Sequence, residues 1–552
     1  MNETAKTTTF ILLALVLIAG AYYTRQTPSD FQVDEMRGQN LFPKFTDPLA
    51  IKSLEIVKLD AAGERNDFRI VEVNGIWSIP SHDNYPSDAK DQMGRVAEAL
   101  TGLTVLEVIE PDTGVDVIDF QNQYGVLDPA SDSAPIGDGA GVRVSLEGAN
   151  NETLVNLIVG KKAGGRQSQD TMGEGGNLRF VRIANQTPVY VVNIDTSQFS
   201  TSFDQWIEKN LLDISTFDIK EFFVDEYSFA VEVVLTNTGL RPQAEAAFVG
   251  DITLAYNGSA VGAEKWLLKR WSTFDGESAY KERQLEPGKE LDFDTLDAMV
   301  SALNDLKIVN VLRKPAKLAA ALREGTPFEG IDMDETMQGS MQRTGFWLIP
   351  FPDLKGDVRE TKTQLLSNSG DLKLRLKNGV VYCLRFGDLT GTETEVELPQ
   401  SYESPDSLTN TKMVANRYLF ITAEFDPAMI AQPELKSVPE VPEEGEAEVL
   451  EKLKQEKETA ERGNQREQER YDSEIESGKK RAAELSARFA DWYYVISEDV
   501  YKKICLTEGN VFRVKKSDEK PAWEGTPEDL PEMDPEPAAE DTLPDLPSME
   551  VD

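Results

Sequence analysis

The sequence predicts an α+β protein with two tandem units, each a mainly antiparallel sheet that packs against at least one helix. Three observations predict this fold class. A helix that leads into a β-branched strand occurs twice, at residues 99–108 and 302–311. Strands with period-2 alternation of apolar residues follow each copy. The 552 residues are 40% hydrophobic, which is enough to bury sizeable cores.

The chain begins with a segment suited to a lipid bilayer. No residue in the range 7–24 is charged, and at 1.5 Å per residue this run spans about 27 Å. Tyr22 and Tyr23 follow the apolar run, where an interfacial aromatic belt would lie. We therefore predict a single-pass transmembrane anchor over residues 1–25. The small residues at 19–21 also fit a cleavage site, so a cleaved signal peptide is the alternative.

The first α+β unit is predicted over residues 26–225. Trp77 lies on a strand of a tight hairpin that turns at Asn74-Gly75, a dipeptide that favours the two-residue β-hairpin turn. Alternating or β-branched runs predict further strands at residues 142–146, 154–160, 178–183 and 189–192.

The second α+β unit is predicted over residues 226–515 and repeats this order. Trp266 again lies on an upstream strand, and later strands are predicted at residues 372–376, 380–387, 417–421 and 492–496. The last two should pair, as their counterparts do in the first unit. About 70 residues separate them, so an insertion is expected at the tip of a hairpin.

The insertion, residues 440–488, is predicted to be a charged helical hairpin. Opposite charges recur at i,i+4, as in Glu458 and Arg462. One straight helix would separate the ends of the insertion by tens of ångströms, so a reversal is expected at Gly463-Asn464. An apolar 3/4 seam would join the two arms, and its members are Leu450, Leu453, Ala460, Tyr471, Ile475, Ala482, Leu485 and Phe489. A single charged helix with a disordered return is the alternative.

Charge and rare residue types exclude several classes of function. The formal net charge of −40 opposes nucleic-acid binding, and the acidic, Pro-rich residues 516–552 are predicted to be a disordered tail. One histidine and two cysteines cannot supply a His-rich metal site or a CxxC pair. A single disulfide between Cys383 and Cys505 is left open.

Two loops carry residue types that could serve chemistry. The glycine-rich segment 160–176 contains Lys161, Lys162 and Arg166, but it lacks the spacing of a Walker loop, and we interpret it as a connection between strands. His82 and Asp83 lie in a loop between prolines, and no nucleophile elbow accompanies them, so a surface loop is expected.

Two further sets of residues also have a structural interpretation. Asp332, Asp334 and Glu335 are carboxylates that could bind Ca²⁺, but they lack the spacing and the glycine of an EF-hand, so no calcium site is predicted there. Trp77, Trp266 and Trp492 alternate with aliphatic residues on strands, which favours core packing over a stacking platform for a ligand. We therefore assign no catalytic, cofactor-binding or metal-ligating residue, and we expect no cofactor and no enzymatic activity.

Several short motifs occur together in order, and they are Trp77-Ser-Ile-Pro80, Tyr85-Pro-Ser-Asp88, Leu100-x-x-Leu103, Tyr124-Gly-Val-Leu-Asp-Pro129, Leu157-Ile-Val-Gly160 and Val189-Tyr-Val-Val192. Over roughly residues 50–215 this order resembles the bacterial family catalogued as domain of unknown function 4340. The second unit fits the pattern more loosely and lacks the Tyr-Gly turn. The resemblance implies an N-terminally anchored envelope protein. Together with the short tail before the apolar run, it predicts a single-pass protein of the bacterial inner membrane with most of the chain on the extracytoplasmic side.

The expected function follows from the anchor, the repeats and the resemblance. Some members of the family resemble the auxiliary component of ABC transport systems linked to gliding motility, so a non-enzymatic accessory or scaffold protein of such a system is expected. Its partners would be the bilayer, through residues 7–24, and subunits of the transporter or other envelope proteins. The alternative is a ligand-binding or hydrolytic, glycosidase-like module with a carboxylate-lined cleft between the two units.

Overall fold

The computed structural model describes most of the chain between Met36 and Lys515. The described residues are 36–60, 63–131, 139–163, 177–236, 239–276, 280–352, 361–397, 411–442 and 446–515. The predicted anchor and the predicted acidic tail lie outside these ranges. No helix within these ranges combines the length and the apolar character needed to cross a membrane.

Nine strands build the first sheet. They are β1 (Ser53–Leu59), β2 (Arg65–Val73), β3 (Ile76–Ile79), β4 (Tyr85–Pro86), β5 (Glu107–Ile109), β6 (Val142–Glu147), β7 (Thr153–Lys162), β8 (Leu178–Ile183) and β9 (Val189–Asn193). Their order across the sheet is β4-β3-β2-β1-β6-β7-β8-β9-β5, and the pairings are antiparallel. The helices are α1 (Lys90–Leu100) and α2 (Val117–Tyr124). Because α1 joins β4 to β5, the chain passes from one edge of the sheet to the other through this helix.

Local sequence accounts for these elements. Asn74 and Gly75 have φ angles of 55° and 80°, so the β2–β3 turn has the left-handed residues that the dipeptide predicts. Helix α1 buries Met93, Val96 and Leu100, which recur at helical spacing on the face toward the core.

The second sheet repeats the strand order of the first. Its strands and the neighbouring short ones are β10 (Ile219–Thr236), β11 (Gly239–Tyr256), β12 (Trp266–Phe274), β13 (Tyr280–Glu282), β14 (Lys289–Leu291), β15 (Asn310–Arg313), β16 (Phe346–Pro352), β17 (Thr361–Ser367), β18 (Asp371–Leu376), β19 (Val380–Glu397), β20 (Thr411–Phe425), β21 (Trp492–Ser497) and β22 (Phe512–Val514). The sheet order is β13-β12-β11-β10-β18-β19-β20-β21-β15, which corresponds strand for strand to the first sheet. Strands β14 and β22 form a separate pair, as do β16 and β17.

The second unit carries six helices in the described residues. They are α3 (Phe293–Asn304), α4 (Ala316–Arg323), α5 (Glu335–Arg343), α6 (Ala447–Ala490), α7 (Glu498–Ile504) and α8 (Glu508–Val511). Helix α3 leads to the edge strand β15, as α1 leads to β5. The α+β expectation therefore agrees with large antiparallel sheets and helices, although the second sheet begins at Ile219, inside the range predicted for the first unit. The predicted boundary at 226 falls within β10, where a bulge interrupts the register between Glu226 and Tyr227.

One hydrophobic cluster joins the two units. It extends from Leu41 before the first sheet to Val511 in α8. Alternate residues of β20 face opposite sides of the second sheet: Leu419 and Ile421 belong to this cluster, whereas Phe420 belongs to a second cluster under α4 and α5. Both faces of the second sheet are therefore covered at this point.

The predicted helical hairpin is wrong. Residues 447–490 form one continuous helix, α6, and neither Gly463 nor Asn464 reverses the chain. Its 44 residues span about 66 Å. The outward path from β20 to α6 includes a Pro-containing extended segment, residues 430–442, whose 13 residues cover about 40 Å at about 3.1 Å each. The ends of the insertion can therefore meet without a second helix.

Candidate functional site

Helix α6 is attached to the second sheet by its last turns. Its buried residues are Gly478, Ala482, Leu485, Phe489 and Ala490. A Cβ at Gly478 would lie 2.3 Å from the main-chain oxygen of Asn378 and 2.5 Å from a ring carbon of Phe425, so only glycine fits this contact. The helix is thus pressed against the β18–β19 turn and the end of β20.

The first two-thirds of α6 contain no buried residue. Half-buried positions recur at 450, 453, 457, 460, 464, 467 and 471, and this 3/4 spacing places them on one face. The extended segment, residues 430–442, meets that face where Lys436 and Asn464 exchange two hydrogen bonds. Lys436 N donates to Asn464 Oδ1 at 2.7 Å, and Asn464 Nδ2 donates to Lys436 O at 2.8 Å. We call residues 430–442 the strap, and the strap together with residues 447–477 the arm.

The arm presents a charged outer surface. Its described ion pairs join neighbouring helical turns, as in Arg462–Glu458 at 2.5 Å and Arg470–Glu467 at 2.6 Å. These side chains are mostly more than half exposed, so each pair contributes little to stability. From Ala447 to Ser477 the helix spans roughly 45 Å. The arm is therefore a long, exposed rod that is braced at one side and held at one end.

A cavity of about 320 Å³ lies at the base of the arm. We call it the arm pocket. Three separate parts of the chain line it, and its walls are Leu322, Gly325, Thr326, Pro327, Phe328, Glu329, Ile421, Thr422, Ala423, Glu424, Ser486 and Ala490. The walls are mainly apolar, and two carboxylates lie among them.

A buried lysine lies near this pocket. Lys314 is 3% exposed, its Nζ donates to Phe489 O at 2.9 Å, and it lies 3.9 Å from the ring centre of Phe420. Burial lowers the pKa of Lys314 well below its ordinary value, against the opposing effect of Asp491. The amine contacts the carboxyl end of α6, where the helix dipole favours a hydrogen-bond donor. We therefore assign Lys314 a structural role, which is to hold the carboxyl end of α6 in place.

A second cavity, also about 320 Å³, lies where β10 separates from β18, and carboxylates line it. Glu226 accepts a hydrogen bond from Glu508 N at 2.7 Å, and burial raises its pKa. Asp371 accepts a hydrogen bond from the Tyr227 hydroxyl at 2.7 Å and lies 3.4 Å from Arg385. These contacts bind Glu226 and Asp371 to neighbouring elements of the fold.

Arg417 fastens α7 beside this second cavity. Its guanidinium donates to both carboxylate oxygens of Glu498, at 2.7 and 3.2 Å, and to Ser369 Oγ at 3.0 Å. It also bonds Gly387 O at 2.5 Å and lies 4.1 Å from the ring centre of Tyr501. Arg417 and Glu498 are 12% and 13% exposed, so this pair is largely removed from water.

His82 has a packing role, because its ring lies against the side chain of Phe203. Its ring stacks on Phe203 with centroids 4.1 Å apart, and Nδ1 lies 2.9 Å from Oγ of the adjacent Ser81. Burial lowers the pKa of His82, while Asp83 acts in the opposite direction. The main-chain oxygen of Asp83 accepts a hydrogen bond from Arg313, which connects this loop to the second unit.

The glycine of the Lys-rich loop has a structural role. A Cβ at Gly160 would lie 2.5 Å from Tyr124 O and 2.8 Å from Gly125 O, so the residue allows β7 to approach the turn after α2. Lys161 and Lys162 are exposed at the end of β7, and most of the remaining loop lies outside the described residues.

Asp334 caps a helix. Its side chain accepts a hydrogen bond from Met337 N at the start of α5 and pairs with Lys317 at 3.0 Å. The hydrogen bond from Met337 N, followed by the Lys317 interaction, lowers the pKa of Asp334. In the described parts of the chain no group of three His, Cys, Asp or Glu side chains could hold a metal ion.

Trp77, Trp266, Trp492 and the two cysteines belong to the folded body. Trp266 and Trp492 are buried, and Trp77 is half-buried against the main cluster, in agreement with the core interpretation. Cys383 and Cys505 are both free thiols, which resolves the disulfide question. Burial raises the pKa of each thiol.

Residues 77–323 match the family model described as a domain of unknown function, DUF4340. This part of the chain is similar to the DUF4340 family. No curated protein and no solved structure is significantly similar to the chain. The DUF4340 match begins at Trp77 on β3 and ends at Arg323, the last residue of α4. It therefore covers most of the first unit and enters the second, but it stops before the arm.

Proposed function

We propose that this protein is a non-enzymatic accessory or scaffold protein of the bacterial cell envelope that docks a partner protein through its arm. The arm is the observation that carries the proposal. Its helical part, residues 447–477, extends roughly 45 Å without a buried residue and is braced by the strap, so the arm offers a preorganised surface to a second protein.

Sequence features supply the location and the class of partner. The uncharged run at residues 7–24 would anchor the chain in the inner membrane, with the two sheets and the arm on the extracytoplasmic side. The family resemblance points to an ABC-type transport system, and a subunit of such a system is the partner that we propose for the arm.

The alternative function requires a ligand-binding cleft between the two units. The cavity described at their junction, between residues 210–214 and 303–306, has a volume of about 180 Å³. Ligand sites are commonly about 300 to 1,000 Å³, so this cavity is small for a sugar-binding cleft. The two larger cavities described above both lie within the second unit.

Site-specific photo-crosslinking tests the docking role. A photoreactive residue replaces the exposed Gln468 on the arm in the full-length, membrane-associated protein, and the same residue replaces the exposed Glu264 on the body as a control. We expect the arm position to crosslink to a transporter subunit, identified by mass spectrometry, and the body position to give no such product. Equal patterns from both positions would contradict docking through the arm, and a crosslink to a different envelope protein would contradict the transport assignment.

A further inference from the structure

The arm pocket exists because β20 is longer than the strand that pairs with it. Strand β21 pairs with β20 only from Asn416 to Leu419, so Ile421 to Glu424 continue past the end of their neighbour. Helix α6 lies against this stretch, where Ser486 Oγ donates a hydrogen bond to Ala423 O at 2.6 Å. The sheet edge and the helix therefore form two fixed walls.

The third wall is a tight loop after α4. Gly325 has a φ of +68°, and this left-handed residue ends the helix and starts the turn toward Pro327 and Phe328. The guanidinium carbon of Arg385 lies 5.7 Å from the ring centre of Phe328, and Arg385 also donates to Thr422 Oγ1 at 3.0 Å. These contacts hold the loop wall and the strand wall together, so the cavity is preformed.

The two ionisable side chains among the walls of the pocket are acidic. Glu329 and Glu424 are both exposed wall residues, and neither lies within ion-pair distance of a cation in the part of the chain that the structure describes. The whole chain carries a formal charge of −40, so the surrounding field also favours a cationic partner. An apolar cavity with acidic side chains beside it is complementary to an apolar group flanked by positive charge.

We propose that the arm pocket is a docking site for a basic peptide segment of a partner protein, which inserts one aromatic or large aliphatic side chain. A cavity of about 320 Å³ is roughly ten times the volume of a liquid water molecule, which is room for a large side chain. Buried aromatic anchors contribute most of the energy at many interfaces, and flanking charges add selectivity. This inference deepens the proposed function, because it assigns a partner chemistry to the base of the arm.

A pentapeptide probe tests the proposal in solution. The peptide Lys-Lys-Trp-Lys-Lys, capped at both ends and labelled with fluorescein, is titrated with the purified full-length protein in detergent, and binding is followed by fluorescence anisotropy. We expect it to bind more tightly than Glu-Glu-Trp-Glu-Glu, which reverses the charges, and than Lys-Lys-Ser-Lys-Lys, which lacks the anchor. Equal binding of the three probes, or no binding of the first, would overturn the proposal.

Variants locate the binding. The double variant Glu329→Gln/Glu424→Gln should weaken binding of the basic tryptophan probe about two- to thirtyfold, because it removes two exposed ion pairs with the peptide. Thr326→Trp should abolish binding by filling the cavity. The matched controls Glu152→Gln/Glu264→Gln and Thr153→Trp change exposed residues elsewhere and should have no effect. If the controls weaken binding equally, or Thr326→Trp leaves it unchanged, the site is not the arm pocket.

The probe and the crosslinking experiment fail independently. Loss of peptide binding with retained crosslinks at Gln468 would reject the pocket and keep the arm as the docking element. Retained peptide binding without crosslinks from the arm would keep the pocket as a peptide site and reject the proposed function.

Discussion

Gly478→Ala is expected to lower the free energy of unfolding of the protein by about 2–3 kcal/mol. Gly463→Ala, in the same helix, is expected to stabilise α6 locally by about 1 kcal/mol. A methyl group at 478 would meet the main-chain oxygen of Asn378 at 2.3 Å, which the backbone can relieve only if α6 moves away from the sheet. A methyl group at 463 would meet nothing within 4 Å. There, alanine simply improves the helix propensity.

Hydrogen–deuterium exchange of α6 together with urea denaturation measures both effects. Gly478→Ala should increase exchange over residues 478–490, and Gly463→Ala should slow exchange around residues 455–470. The pair is matched, because the same substitution is made twice in one helix. Faster exchange in Gly463→Ala would indicate that Gly463 has a turn conformation, and an unchanged stability of Gly478→Ala would show that the helix does not rest on the sheet.

Arg417→Met is expected to destabilise the protein by about 3–5 kcal/mol. The substitution leaves the Glu498 carboxylate, which is 13% exposed, without the two hydrogen bonds that compensate for its burial. It also removes the donor to Ser369 Oγ, so α7 loses its attachment at the second cavity. A double-mutant cycle with Glu498→Gln, measured by urea denaturation, should give a coupling energy above about 1 kcal/mol.

The arm provides a control ion pair for this cycle. Arg462 and Glu458 are 64% and 63% exposed, and their cycle should give a coupling of less than about 0.5 kcal/mol. Comparable coupling for the exposed and the buried pair would contradict the assigned role of Arg417.

The repeated sheets could be predicted because their signals are local. Alternating apolar residues predict several strands of each sheet, and Asn74-Gly75 specifies one turn through the left-handed conformations that it tolerates. The sequence also locates the insertion, since the strand over residues 492–496 follows its partner only after a long delay. The strand order does not follow from the chain order alone, because β1 pairs with β6 and β5 pairs with β9 at the far edge of the first sheet.

The shape of the insertion could not be predicted in the same way. The 3/4 spacing from Leu450 to Phe489 fits two facing helices or one helix with a covered face, and the structure has the second arrangement. The strap has no periodic signal, because an extended Pro-containing segment does not bury every second residue. The strap and α6 exchange two hydrogen bonds between Lys436 and Asn464, and Asn464 is the position at which the sequence predicts a turn.

The arm pocket could not be predicted from the sequence. Its walls come from segments around Phe328, Ile421 and Ser486, which lie far apart along the chain and carry ordinary core and loop residues. The cavity forms because the pairing of β21 with β20 stops at Leu419 and because α6 approaches the unpaired part of β20 closely. Conversely, His82 and Gly160 are unusual residues in the sequence, and both lie in packing contacts.

The distance between two spin labels on the arm tests the central claim, a single projecting helix, most directly. Labels are attached at Glu451→Cys and Glu476→Cys, two exposed positions on opposite sides of Gly463, in a background with Cys505→Ser while the buried Cys383 is kept. A continuous helix separates these positions by about 37 Å. Pulsed electron–electron double resonance should therefore give a narrow distribution of label-to-label distances near that value. A helical hairpin that reversed at Gly463-Asn464 would place them side by side on helices about 10 Å apart, and a short distance would contradict the account.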